Sequence, residues 1–425
     1  MPLDTVVLNC EIFPEKKAID AKVLLKFTDI PESLELMINP DLDIKNYHIK
    51  AGKKKFKIEV IEDKVPDDFF IKTAKLLRFK LPTDLKLEKD EYFYFEADYL
   101  GKILKSEWDL SRIEDNFVEL ALYGAWYPIP PKEVKYKFEL TLTSPKEWTW
   151  ISNSELIKTY NLKAKTVRHW KDDSKKLDIT LLGIQIKQAY EKEGSIFWGL
   201  QDIVERNSIY EKYLLEMMKA LEDWLGPIQS KARFHYAFTP REKGGQYSRD
   251  GLIVTVKELP TENHMVSRVL QGMIHEVSHS WWKKTSVHDY HNWLDEALAE
   301  ISSSIIVAEK FGGDKWLNDK ATRVLNALEK AGELPAIRDT PRNAKDAYVL
   351  FYYRGFLLFY EIMKKSGKKL FMEIIQEFAS YIQDKDLIYT ENFLDFLFLF
   401  KSKIDFDIHK FIHKWLRYEG KGIPK

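Results

Sequence analysis

His275 and His279 stand four residues apart, with Glu276 directly after the first, in the order His-Glu-Val-Ser-His. Apolar residues at 265, 266, 269, 270, 273, 274 and 277 predict one buried face of a helix over 265–282. Residues four apart lie on the same side of a helix, so both imidazoles can reach one metal ion. Glu276, one step further, points about 100° around the axis and is free to act on a water rather than on the metal. A third ligand is available at Glu296. It belongs to a second helical run, expected over 293–311, which follows a short polar segment at 283–291. Folding that helix back antiparallel brings its carboxylate to the two imidazoles. Three protein ligands and one open position are the pattern of a catalytic zinc site, where the metal activates water and polarises a carbonyl. Glu276 is then the general base. Glu300 lies one turn beyond Glu296 and is placed to accept a hydrogen bond from a ligand imidazole, a solvated surface glutamate being the alternative.

These helices need a scaffold, and the 425-residue chain is long enough for two or three domains. Hydrophobic residues at 45% and aromatics at 14% supply sizeable cores. Basic and acidic residues balance at 66 each, which gives no electrostatic signature for nucleic acid or an anionic membrane. The single Cys10 excludes an intramolecular disulfide and a thiolate zinc site. No apolar run approaches a membrane span, since 348–363 is interrupted by Arg354 and Glu361. No signal peptide is read at the start, and a cytoplasmic location is expected.

Residues 1–190 read as a β-rich domain, with short alternating runs at 22–27, 55–60, 92–97 and 136–143. A helix is expected over 208–225, stopped by Gly226-Pro227, then a strand over 252–256. From 263 the pattern is helical almost to the end. The fold class is therefore α+β, with 191–425 forming the second domain.

The sequence His275 to His279, followed by Trp293-Leu294-Asp295-Glu296-Ala297, resembles the HExxH and WLNEG motifs of the aminopeptidase N-like gluzincins. These are zinc peptidases with a thermolysin-like catalytic domain, here expected over 191–425. The segment between the second histidine and Glu296 is shorter than the family's, which a deletion in 283–291 explains. Tyr352-Tyr353-Arg354-Gly355 resembles the family's YxKG. The resemblance implies that Tyr352 stabilises the tetrahedral oxyanion, a core aromatic being the alternative. Segments around Ala125-Trp126-Tyr127-Pro128 and Phe411 to Pro424 extend the likeness over nearly the whole chain.

The family's GxMENxG aligns with Gly245 to Gly251, and its amine-binding glutamate falls on Ser248. A neutral serine cannot form a charge-assisted pair with a substrate ammonium. Glu119, Asp250 or Glu242 are the carboxylates expected to substitute, and Gly244 and Gly245 would admit the peptide backbone. His409 and His413, four apart, have no third ligand and read as packed or surface residues. His264, His288 and His291 read as structural or solvated.

The expected function is zinc-dependent peptide hydrolysis with one Zn2+ ion and altered recognition of the substrate N-terminus. An endopeptidase, or a peptidase acting on blocked N-termini, is the competing reading, and an inactive metal-binding scaffold is the reading from another class. A peptide is the expected partner, with neither nucleic acid nor membrane. Side-chain preference and oligomeric state carry no signature in the sequence.

Overall fold

The computed structural model describes residues 2–66, 71–104, 106–131, 134–185, 188–192, 195–228, 234–241, 245–256, 259–260, 262–287 and 289–424. The chain divides into two compact units. One holds Met1–Glu191, Ile196–Val204 and Phe234–Gly245, and the other holds Lys192–Ser195, Glu205–Arg233 and Gln246–Lys425. The architecture is α+β, β-rich in the N-terminal part and mainly helical toward the C-terminus.

The first unit is organised by an eight-stranded sheet. Its central strands Leu3–Phe13 and Tyr136–Pro145 run parallel, and antiparallel partners flank them on both sides. Alternation in the sequence decides which face is buried. Leu8, Cys10 and Ile12 point into the core while Asn9 faces solvent. Leu8 pairs across the sheet with Val23 on one side and Leu140 on the other, all three fully buried. The run expected at 55–60 is two strands rather than one. Lys54–Phe56 closes a hairpin at Gly52, and Glu59–Lys64 belongs to a separate three-stranded sheet. Gly52 sits at φ +56°, the left-handed turn conformation that this hairpin uses, and the run itself is interrupted at Lys57 and Ile58. A four-stranded antiparallel sheet, which includes Phe117–Leu120 and Leu181–Ile184, carries Glu119.

In the second unit the helix Ser208–Leu225 spans the residues that its periodicity indicates, and it stops at Gly226. The helices Asn263–Ser278 and Asn292–Phe311 pack against each other. The latter also contacts Asp314–Ala331, Val349–Arg354 and Gly355–Ser366, so neighbours surround it. Every residue from Asn292 to Ala308 is buried. Ile301 and Ile305 supply the apolar share, each worth about 1.5–3 kcal/mol when fully buried.

The polar side chains of this central helix would oppose burial if left unpaired, and each named here has a partner. Ser302 accepts from Trp282 Nε1 at 3.1 Å, and Ser303 donates to the Ala299 carbonyl at 2.7 Å. Asp295 accepts from the Thr285 amide and hydroxyl at 2.8 and 2.7 Å, tying the 283–291 segment to the helix start.

Two departures from simple helical periodicity bear on the site. The motif helix ends at Ser278, and His279 is its cap residue; the chain then turns, with the amides of Trp281 and Trp282 bonded to the Ser278 carbonyl. Val349–Arg354 is a π-helix leading directly into Gly355–Ser366. Wide turns of this kind are rare and often sit at functional positions. Gly355 permits a close helix approach here, because a Cβ on it would lie 2.7 Å from that of Ala297. The preceding Arg354 is fully buried. It donates to the carbonyls of Pro335, Tyr418 and Gly420 at 3.1, 2.9 and 2.8 Å, binding the segment near the C-terminus to the π-helix.

Candidate active site

The two antiparallel helices bring His275, His279 and Glu296 together with their ligand atoms within 4.8 Å of one another. Among the described residues this is the one group of His, Cys, Asp or Glu side chains arranged to hold a metal ion. Glu296 Oε2 lies 3.2 Å from His275 Nε2 and 3.5 Å from His279 Nε2. Ligands about 2.0–2.1 Å from a tetrahedral zinc are separated by roughly 3.4 Å, so both glutamate–imidazole distances match that ion.

The far side of each imidazole is also fixed. His279 Nδ1 is 2.8 Å from the Trp282 carbonyl, and His275 Nδ1 is 2.9 Å from Glu300 Oε2. Each acceptor takes the Nδ1 proton and leaves the Nε2 lone pair for a metal. The donor set therefore fits zinc in chemistry as well as in spacing.

Electrostatics reinforce this arrangement. Burial disfavours charge at His275, but hydrogen bonds with Glu296 and Glu300 outweigh it and raise the imidazole pKa to about 10. Burial likewise opposes ionisation of Glu296, yet Arg342 and the two histidines hold its carboxyl well below the usual range. Both shifts show a cluster that attracts positive charge, which a dication satisfies while displacing protons. Glu276 is partly buried, and burial raises its carboxyl pKa, with the neighbouring histidines opposing. A carboxylate shifted in this direction is better matched to proton abstraction near neutral pH.

Glu300 anchors the layer behind His275. Its Oε1 accepts from Lys320 Nζ at 2.6 Å, and its Oε2 accepts from Gln271 Nε2 at 3.0 Å. Lys320 also donates to Ser304 Oγ at 2.7 Å and is almost wholly buried. Glu300→Gln is expected to weaken zinc binding by about 10- to 100-fold, as partners behind metal ligands commonly do. It also leaves the Lys320 ammonium buried beside a neutral amide. Adding Lys320→Met should restore the denaturation midpoint without restoring zinc affinity. Titration against a chromophoric chelator, alongside urea melts, checks both halves, and equal zinc affinity in Glu300→Gln and the unaltered chain would refute the role.

Tyr352 lies on the π-helix with its ring stacked on His275 at 5.3 Å between centroids. Tyr348 stacks behind it at 4.6 Å. Arg342 Nη2 approaches the Tyr352 hydroxyl at 3.1 Å and Glu296 Oε1 at 3.3 Å.

The residues expected to meet the substrate N-terminus lie on other elements. Ser248 lies in a short hairpin, paired with Ile253. Asp250 and Gly251 form its two-residue turn at φ +48° and +92°, and Asp250 Oδ1 is 3.7 Å from Lys283 Nζ. Glu119 is fully buried, with Oε2 2.9 Å from Arg241 Nε, and Arg241 donates to the Gly245 carbonyl at 3.2 Å. Its charge is therefore met by a guanidinium inside the first unit. Glu242 and Gly244 lie outside the described residues, as does His288, and the side chain of His264 is not described. His409 packs 4.0 Å from the Phe398 ring, and the His291 ring nitrogen accepts the Thr390 amide at 3.1 Å.

Sequence reasoning missed Arg342 and Lys320. Lys320 carries a detectable signal, because it interrupts the apolar stripe Leu317, Ala321, Val324, Leu328 on its helix. Arg342 sits in a stretch without periodicity, and nothing local marks it.

No protein-family model matches the sequence, and no curated protein matches it. Solved structures do match across its whole length. The native LTA4 hydrolase of yeast superposes with a TM-score of 0.75 at 14% identity, over 100% of this chain and 68% of that one. The M1 zinc metallopeptidase of Deinococcus radiodurans gives 0.70 at 15% identity, over 100% and 94%. A mutant of that enzyme bound to a Tyr-Ser-Ala substrate gives 0.71 at 14% identity, over 100% and 95%. The chain has the two-domain M1 peptidase fold. The Deinococcus radiodurans neighbours are zinc metallopeptidases by name and the yeast neighbour an LTA4 hydrolase, and no described helix is long and apolar enough to cross a membrane.

Proposed function

We propose that this protein is a zinc-dependent peptidase, aminopeptidase-like, with altered recognition of the substrate N-terminus. The observation that carries the reading is the convergence of His275, His279 and Glu296 on one point, with Glu276 and Tyr352 beside it.

Zinc bound there would supply Lewis-acid polarisation of the scissile carbonyl and acidify the attacking water. His275, His279 and Glu296 would hold the ion, and Glu300 and the Trp282 carbonyl fix the two rings. Glu276 takes the water's proton and returns it to the leaving amine. Tyr352 donates its hydroxyl hydrogen to the developing oxyanion. An inactive scaffold would have no use for a proton-accepting carboxylate or an oriented phenol at this point.

A second reading, cleavage of blocked or internal peptides, is favoured by the aligned position of Ser248 and the internal pairing of Glu119. Arg249 strengthens it, because its positive charge acts on Glu276 from the position beside Ser248. The deciding experiment is a peptide library with free and acetylated N-termini, incubated with the zinc-loaded protein and mapped by mass spectrometry. Retained cleavage of acetylated peptides, within about threefold of their free counterparts, is the expected mark of a site without an ammonium clamp. Strict dependence on a free amine would overturn that part of the reading, and failure to cut anything would overturn the whole.

A further inference from the structure

Arg342 is a cation in direct contact with the candidate catalytic groups, and neither the motif spacing nor the fold assigns it a task. Its Nη2 is 3.3 Å from Glu296 Oε1 and 3.1 Å from the Tyr352 hydroxyl. Glu296 directs its other oxygen, Oε2, at the imidazoles of His275 and His279. The guanidinium also lies 5.4 Å from the Tyr352 ring centroid and 6.0 Å from that of Phe351. It is about three-quarters buried, with 24% of its side chain exposed, so its contacts are little weakened by solvent.

We propose that Arg342 is a positioning residue that joins the metal-ligating carboxylate of Glu296 to the oxyanion-stabilising phenol of Tyr352. The inference rests on the peptidase reading for its catalytic half and on the ligand set alone for its metal half.

Two consequences follow from hydrogen-bond chemistry. A carboxylate with one oxygen occupied by a guanidinium presents the other as a single, directed ligand. A phenol can accept and donate at once, so accepting from Arg342 restricts the directions open to its own hydrogen, which Glu296 also attracts, and keeps the hydroxyl a donor toward an oxyanion that forms there. The planar guanidinium sets both distances at once. A lysine at this position has a point charge on a flexible stem and cannot impose the same geometry.

The test uses the full chain as Arg342→Ala, Arg342→Lys, Tyr352→Phe and the Arg342→Ala/Tyr352→Phe double variant, with two separate readouts. Zinc affinity, measured by competition with a chromophoric chelator, is expected to fall about 10-fold or more in Arg342→Ala, whether or not Tyr352 is present. At saturating zinc, kcat is expected to fall about 100-fold with KM nearly unchanged, the magnitude typical of disturbing one oxyanion donor. In the Tyr352→Phe background the same substitution should cost less than about threefold in kcat, because the group it acts through is gone. Arg342→Lys should keep the melting temperature and recover only part of kcat.

Unchanged zinc affinity in Arg342→Ala would overturn the metal half. Equal kcat losses in both backgrounds would overturn the phenol half, as would full recovery in Arg342→Lys. If the unaltered chain cleaves no peptide, the function proposed above fails, while the affinity measurement still decides whether Arg342 orders Glu296.

Discussion

Glu276→Gln is expected to bind zinc as tightly as the unaltered chain and to cleave peptides about 10²- to 10⁴-fold more slowly. The substitution keeps the size and hydrogen-bonding reach of the side chain and removes only its capacity to take a proton. Zinc retention follows from the geometry, since the converging ligand atoms belong to His275, His279 and Glu296. The loss should appear in kcat, because proton abstraction is needed in the transition state and not for substrate binding. Single-turnover cleavage with metal analysis of the same sample measures both quantities. Normal turnover by Glu276→Gln would remove it from the mechanism, and a zinc-free variant would show a structural rather than chemical role.

Glu296→Ala should have a larger effect, by a different route. Removing the third ligand leaves two imidazoles and takes away the carboxylate whose charge Arg342, His275 and His279 share. Activity is expected to fall by roughly 10⁴-fold or more, since a zinc-coordinated water is far more acidic than free water. Thermal stability supplies a reading independent of turnover. A ligand that binds only the folded state at 100 times its Kd stabilises by about 2.7 kcal/mol. Zinc should therefore raise the melting temperature of the unaltered chain by several degrees, and a chelator should reverse it. Glu296→Ala should show neither response. Acid should weaken the metal effect, since the imidazoles must be deprotonated to bind. A zinc-induced shift of full size in Glu296→Ala would show that the ion is held elsewhere.

Much of this site was legible in the sequence because its chemistry is encoded locally. His275, Glu276 and His279 share one helix, and a helix's period fixes their directions whatever surrounds it. Glu296 and Glu300 share the next helix, and the short connection between the two leaves few ways to fold back. The helix Ser208–Leu225 was readable for the same reason. What escaped depends on partners distant in sequence. Whether Glu119 is open to substrate or matched by Arg241, 122 positions later, is decided by tertiary packing and not by its neighbours. Arg342 gains its place from Glu296 and Tyr352 together. The split of 55–60 into two strands turned on which sheet each half joined, a choice that propensity does not make.

The wide turn at Val349–Arg354 was also invisible to pattern reading, since Tyr348 to Tyr353 is apolar or aromatic at every position and offers no polar contrast to set a period. It carries Tyr352 with its ring stacked on His275 and, two residues on, Arg354 in the protein interior.

Arg354 ties that turn to three carbonyls, two of them at Tyr418 and Gly420. The last stretch of the chain therefore acts as a bolt through the element that carries the phenol. Trimming the polypeptide ahead of Tyr418 would strand a buried guanidinium and slacken Tyr352 from a distance.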